Sequence, residues 1–136
     1  MPTISPLLSQ PTWRTLGLSL TTTFLFLGTL SLARPLTASS ALGVYPSSPD
    51  GHAINKKSMA FLGIRDVAVA SSLFWFYAKG QTSEMGVVMT SWVLVCVTDT
   101  YIALEGLKEK EDNGGIVALV IGAAVTAVTG LGLMGL

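Results

Sequence analysis

Charged side chains are scarce in this sequence, only 12% of 136 residues and split evenly between eight acidic and eight basic. A typical soluble domain carries roughly 25%. The even balance leaves no basic field for nucleic acid and no acidic tail. One cysteine, Cys96, rules out an internal disulfide framework, and one histidine, His52, leaves no His/Cys cluster with zinc-site spacing. No glycine-rich phosphate loop or GxSxG elbow is present. Neither Asn55 nor Asn113 stands in a glycosylation sequon. Together these absences argue against soluble nucleotide enzymes and against nucleic-acid binding.

What is abundant is apolar sequence: half of the residues are hydrophobic. Four stretches are long enough to cross a bilayer at ~1.5 Å per residue, at approximately 15–33, 58–78, 85–104 and 113–136. The fold class expected is all-α, an integral membrane four-helix transmembrane bundle forming one domain over 1–136. A cleaved signal peptide is the rival reading of the first stretch, because "SLA" at 31–33 resembles a cleavage site. Its apolar core exceeds the usual length, however, and Arg34-Pro35 is an awkward sequel to cleavage.

The connections differ in character. The long one, 34–57, contains three prolines and a serine-rich stretch, which predicts a short interfacial helix near Ala38 to Leu42 and turns through Pro46 and Pro49. "KGQTSE" predicts a tight hairpin between the second and third spans, and "KEKEDNGG" a solvated helix end broken by glycine. Arg34, Lys56, Lys57, Lys108 and Lys110 lie in the first and third connections, against Arg14 and Lys79 on the other side. The positive-inside rule therefore predicts cytosolic loops at 34–57 and 105–113.

The rare charges inside the spans carry most of the information. Arg65 lies seven residues into the second span, and Asp99 lies eight residues before Leu107, near which the third helix ends. The two spans run in opposite directions, so both residues fall ~10–12 Å below the same surface. A charge at that depth costs roughly 2.5–3.5 kcal/mol on insertion scales unless it pairs or faces a wet cavity. Arg65 and Asp66 are successive residues, ~100° apart around a helix, so the simplest arrangement pairs Arg65 with Asp99 and turns Asp66 elsewhere. One cation and two carboxylates leave a surplus. Either one carboxyl is held protonated, ready to act as an acid, or a cation, a water chain or a polar ligand completes the set. The plainer reading is a polar clamp that only fixes helix register.

Other residues are less distinctive. Cys96, one turn from Asp99, is a candidate pocket wall or a small packing residue. Trp92 lies within two turns of Asp99 and can wall an apolar site or pack in the core. Ala118, Gly122, Thr126 and Gly130 form a small-residue stripe suited to close helix packing. Trp13 and the Trp75-Phe76-Tyr77 cluster fall at one predicted interface, as an aromatic belt. Glu105 and Lys108 fit the opposite interface, and His52 a solvated loop.

Pro35, "ALGV" at 41–44, "GIRD" at 63–66 and Asp99 resemble the pattern of a fungal family of small four-span membrane proteins catalogued as a domain of unknown function. The resemblance runs from about Leu16 to Leu136 and points to Gly63, Arg65, Asp66 and Asp99. Two positions depart from it: Ala70 stands where the family often has glycine, and Asn113-Gly114 where it often has histidine. Some members are encoded beside polyketide and terpenoid pathway enzymes, which implies a role in secondary metabolism at the endoplasmic reticulum.

The leading expectation is a membrane-embedded tailoring protein, an isomerase or cyclase acting by carboxyl proton transfer on a lipophilic intermediate. Arg65, Asp66 and Asp99 are its candidate catalytic residues, and Gly63, Trp92 and Cys96 its candidate pocket lining. No ligand set for haem, flavin or metal is seen in the sequence, so no cofactor is called for. The expected partners are the lipophilic intermediate, membrane lipid, and a pathway enzyme or a second copy of the chain. The alternative is a non-catalytic accessory or scaffold protein, and a proton-coupled transporter comes third.

Overall fold

A computed structural model describes residues 5–106 and 114–136. Among these residues there are helices and no strand. A 3-10 turn, Ser5–Leu7, precedes α1 (Gln10–Ala33), α2 (Pro35–Ala41), α3 (Pro49–Ala78), α4 (Thr82–Gly106) and α5 (Gly114–Leu133). Four of the helices are long and apolar enough to cross a membrane, which agrees with the expected helical membrane bundle. The "KEKEDNGG" connection, with Lys108 and Lys110, falls largely outside the described residues.

The surface is inside-out relative to a soluble protein. Phe26, Phe61, Ile64, Leu94 and Val97 are all exposed, an apolar coat that suits hydrocarbon and not water. The numerous Ser and Thr residues do not conflict with that coat. Their hydroxyls donate to the carbonyl four residues back, as Thr21 does to Gly17 at 2.7 Å and Thr126 to Gly122 at 2.7 Å. Such a group is satisfied within its own helix and needs no water.

The long connection differs from expectation. The short helix begins at Pro35, three residues early, because proline suits the first turn, where its missing N–H is no loss. Pro49 does not close a turn but opens α3. Ser48 caps that helix, its hydroxyl accepting from the Gly51 N–H at 3.0 Å, and Asp50 stands in the first turn. His52, Lys56 and Lys57 are therefore exposed on the first turns of α3. At 30 residues α3 is ~45 Å long, more than the ~30 Å of hydrocarbon, so its polar first turns extend beyond the membrane core.

Helix pairing also differs from the simplest expectation. The hairpin at Lys79–Gln81 does not make α3 and α4 the tightest neighbours; α1 packs most extensively with α3, and α4 with α5. Glycines decide this. A Cβ on Gly28 would sit 2.8 Å from the Gly63 carbonyl oxygen, and one on Gly63 would sit 2.7 Å from that of Gly28. Gly86 and Gly130 make the equivalent crossing between α4 and α5, where a Cβ on Gly86 would lie 2.6 Å from the Gly130 oxygen. Only bare backbones approach so closely.

The predicted small-residue stripe on α5 is thus half used. Thr126 and Gly130 are buried against neighbours, whereas Ala118 is exposed and a Cβ on Gly122 would meet nothing within 4 Å. Gly122→Ala is accordingly expected to leave thermal stability within about 0.5 kcal/mol of the parent, while Gly130→Ala costs about 1–3 kcal/mol. Thermal unfolding of the two variants in detergent checks both values.

Trp13, Phe24, Val69, Ala70, Leu73, Met85, Met89 and Leu133 make up the core. Trp13 lies against Gly132, so α1 and α5 meet near one end of the bundle. Arg14 stacks over Tyr77 at 5.2 Å and Lys79 over Trp75 at 5.1 Å at that same end. Ala70, the departure from the resemblance, is fully buried in this core.

Candidate functional site

The polar layer inferred from helix arithmetic forms between α3 and α4. The Arg65 guanidinium donates to both oxygens of Asp99, from Nη2 to Oδ2 at 2.9 Å and from Nη1 to Oδ1 at 3.4 Å. This is an end-on fork from the two terminal nitrogens, which arginine makes and lysine cannot. Asp66 does not turn away, as the simplest sequence reading had it. Its Oδ1 accepts longer contacts of 3.4 Å from Nε and Nη2 of the same guanidinium. Arginine is long and flexible enough to fold back over its own neighbour, so the ~100° helical step does not separate the two.

One guanidinium therefore serves two carboxylates. The Asp66 side chain is 14% exposed, Asp99 24% and Arg65 33%, so the cluster is enclosed on most sides. Its floor is Trp92 of α4, with the Arg65 guanidinium 5.3 Å from the ring centroid in cation–π geometry. Trp92 in turn packs on Phe24 of α1, centroids 6.3 Å apart. The ring thus joins the charge cluster to the core and holds the guanidinium from below.

Asp99 also faces a cavity of about 80 Å³. Met59 and Leu62 of α3 form one wall, Ile102 and Ala103 of α4 another, and Leu42 and Val44 close it from the link that follows α2. Gly43 lies between those two residues at φ +77°, a left-handed conformation that L-residues rarely adopt. That bend lets Leu42 and Val44 line the cavity from either side of it. The "ALGV" stretch and Asp99 thus meet at one place, and the "GIRD" stretch reaches it through Arg65.

The remaining candidates fall elsewhere. Gly63 is buried at the α1–α3 crossing, where it faces Gly28 and Leu32 of α1 and not the cavity. Cys96 is half-buried on α4, and its carbonyl accepts from the Thr100 hydroxyl at 2.7 Å. It is not among the residues around the cavity. The walls Met59, Leu62, Ile102 and Ala103 were not singled out in the sequence. A periodic signal for part of them existed: Asn55, Met59, Leu62 and Asp66 are spaced as one helical face.

Chemically, arginine cannot surrender its proton in a protein, so any proton exchange in this cluster falls to the carboxylates. Asp99 is the better placed of the two because it borders the cavity. A carboxylate offers about four lone-pair sites, and the two Arg65 bonds to Asp99 leave others open to a molecule in the cavity. Among the described residues no group of three or more His, Cys, Asp or Glu is arranged to hold a metal ion.

Comparison with known proteins adds one finding. No curated protein and no solved structure matches the chain. The model of a family described as a domain of unknown function, DUF4267, matches residues 21–133. That range takes in Arg65, Asp66, Trp92, Asp99 and the whole cavity wall. The chain belongs to the DUF4267 family.

Proposed function

We propose that this protein is a membrane-embedded tailoring enzyme that isomerises or cyclises a lipophilic polyketide or terpenoid intermediate by carboxyl proton transfer. The observation that carries the reading is the double engagement of Asp99, whose carboxylate is held by Arg65 while bordering an apolar cavity between α3, α4 and the α2–α3 link. In the proposed reaction Asp99 takes a proton from one substrate atom and a proton is returned at another, so the sum is redox-neutral and needs no co-reactant. Arg65 and Trp92 fix the carboxylate in place, and the apolar walls keep bulk water from competing for the proton.

The resemblance to members encoded beside secondary-metabolite enzymes supports the substrate class and residence in the endoplasmic reticulum. The Lys/Arg asymmetry supports a cytosolic position for 34–57 and 105–113, which places the cavity nearer the cytosolic surface. A second reading has its own observation. One guanidinium binding both carboxylates is also what a helix clamp requires, and a non-catalytic accessory protein that holds a pathway enzyme needs no more.

Asp99→Asn separates the two. It keeps the side-chain shape and removes the acid–base group. On the catalytic reading, folded protein persists in the membrane at near-normal abundance while conversion of the intermediate that accumulates in a gene deletion falls at least a hundredfold, a loss within the range of general acid–base catalysis. Conversion at the parental rate by the Asn variant would sink the catalytic reading. A purified chain that converts nothing, but retains a bound enzyme partner, would favour the accessory reading.

A further inference from the structure

The cavity at Asp99 is small, and its shape limits what can enter. Its volume of about 80 Å³ is roughly half the ~150 Å³ of an apolar cavity that holds one benzene ring. On that scale it takes about three carbon atoms and no ring. Its closed side is made by Met59 of α3 and Ala103 of α4, which are 4% and 9% exposed. Both are packed into the bundle, so neither can step aside for a wider group without disturbing its helix. The open side lies at Val44 and Ile102, which are 41% and 56% exposed.

Ile102 stands four residues before the end of α4, ~6 Å along the helix. Its exposed surface belongs to the same apolar coat as Leu94, two turns away on that helix. A molecule dissolved in the membrane therefore meets the mouth from the side. Asp99 lies three residues before Ile102, about one turn farther in. An entering molecule presents one end to that carboxylate and leaves the remainder in hydrocarbon.

We infer that the site selects lipophilic molecules by the shape of their reacting end: a slim, open-chain terminus of about three carbons reaches Asp99, and a ring at that end is turned away by Met59 and Ala103. This rests on the reading of Asp99 as a ligand-facing group and adds Met59 and Ala103 as specificity-determining residues. Of the two reactions proposed above, isomerisation at a chain end fits the site. A cyclisation that folds the chain into a ring against Asp99 does not.

The test is equilibrium binding to the full chain in detergent, with two isomeric eleven-carbon alcohols as probes. Each has one six-membered ring and one hydroxyl that can donate to the Asp99 carboxylate. In cyclohexylpentanol the hydroxyl ends the open chain and the ring is at the far end; in pentylcyclohexanol the ring itself carries the hydroxyl, opposite the chain. The parent chain is expected to bind cyclohexylpentanol about tenfold more tightly. Met59→Ala extends the closed side by the length of a thioether and should bring the two affinities within about twofold, by strengthening pentylcyclohexanol. Leu62→Ala enlarges the cavity from a less buried position, should narrow the difference in the same sense, and decides the matter if Met59→Ala does not fold. Ala103→Leu adds three carbons, the capacity of the cavity, and should weaken cyclohexylpentanol about tenfold.

Equal affinity of the parent chain for the two isomers, or a preference for pentylcyclohexanol, overturns the inference. So does a preference that persists undiminished in the enlarged variants. Asp99→Asn serves as the independent arm, because it removes the charged acceptor and leaves the walls in place. Affinity for cyclohexylpentanol should fall several-fold there. If it does not, the reading of Asp99 as the ligand-facing group fails on its own account. If it falls while the parent chain binds both isomers alike, only selection by shape is lost. The absence of saturable binding of either isomer overturns both.

Discussion

Arg65→Leu should destabilise the bundle by about 3 kcal/mol or more, because it leaves two enclosed carboxylates facing each other without a cation. The lower end of the usual 3–5 kcal/mol range for breaking a buried pair applies, since the Arg65 side chain keeps a third of its surface exposed. The measurement is denaturant or thermal unfolding of the purified chain in a lipid-like detergent. Arg65→Lys should recover part of the loss, because an ammonium is a point charge that cannot fork onto Asp99 while also touching Asp66. Replacing Arg65, Asp66 and Asp99 together by apolar residues of similar volume should restore stability to the parental level or above. That triple variant is expected to fold and to have no activity, which would show that the cluster is kept for chemistry and not for the bundle. A triple variant that fails to fold would instead favour the clamp.

Gly63→Leu should have a comparable effect by a different route. A Cβ there meets the Gly28 carbonyl oxygen at 2.7 Å and Leu32 at 2.7 Å, and the obstructing oxygen is backbone. It cannot rotate aside as a side chain would, so α1 and α3 must separate. Overpacking of this kind costs about 1–3 kcal/mol and more when backbone must move. Gly28→Val should behave alike, since its Cβ meets the backbone nitrogen of Val67 at 2.9 Å. Arg65 follows Gly63 by two residues, so displacing α3 should also lengthen the Arg65–Asp99 contact and lower activity in the protein that still folds. Unfolding curves and conversion rates on the same samples check both effects. An activity loss without any stability loss would contradict this account of Gly63.

The meeting of Arg65 and Asp99 was legible because charges within apolar helices are few, and helix rise is constant enough to compare their depths. The place of Asp66 was not, since a helical wheel fixes where a side chain leaves the backbone and not where a long arginine ends. The start of α3 was hidden in "SSPDGHAINKKS", a stretch polar enough to pass for a loop although Ser48, Pro49 and Asp50 are a helix-start signal. Helix pairing was hidden for another reason. The chain has 14 glycines, and nothing local distinguishes Gly28, Gly63, Gly86 and Gly130, which sit at crossings, from Gly122, which faces open space. The cavity was hidden because Leu42 and Val44 reach Asp99 only through the left-handed bend at Gly43. Charge burial acts through a handful of residues and can be read along the chain; packing acts through pairs that the chain does not label.

The central claim is that Asp99 exchanges a proton with the substrate, and isotope labelling tests it most directly. Membranes carrying the protein are given the intermediate that accumulates in a gene deletion, in heavy water, and the product is weighed by mass spectrometry. If the proton that Asp99 takes exchanges with solvent before one is returned, the product carries one deuterium at the newly protonated atom, and no such product forms with Asp99→Asn. Product formed by the Asn variant at the parental rate would contradict it.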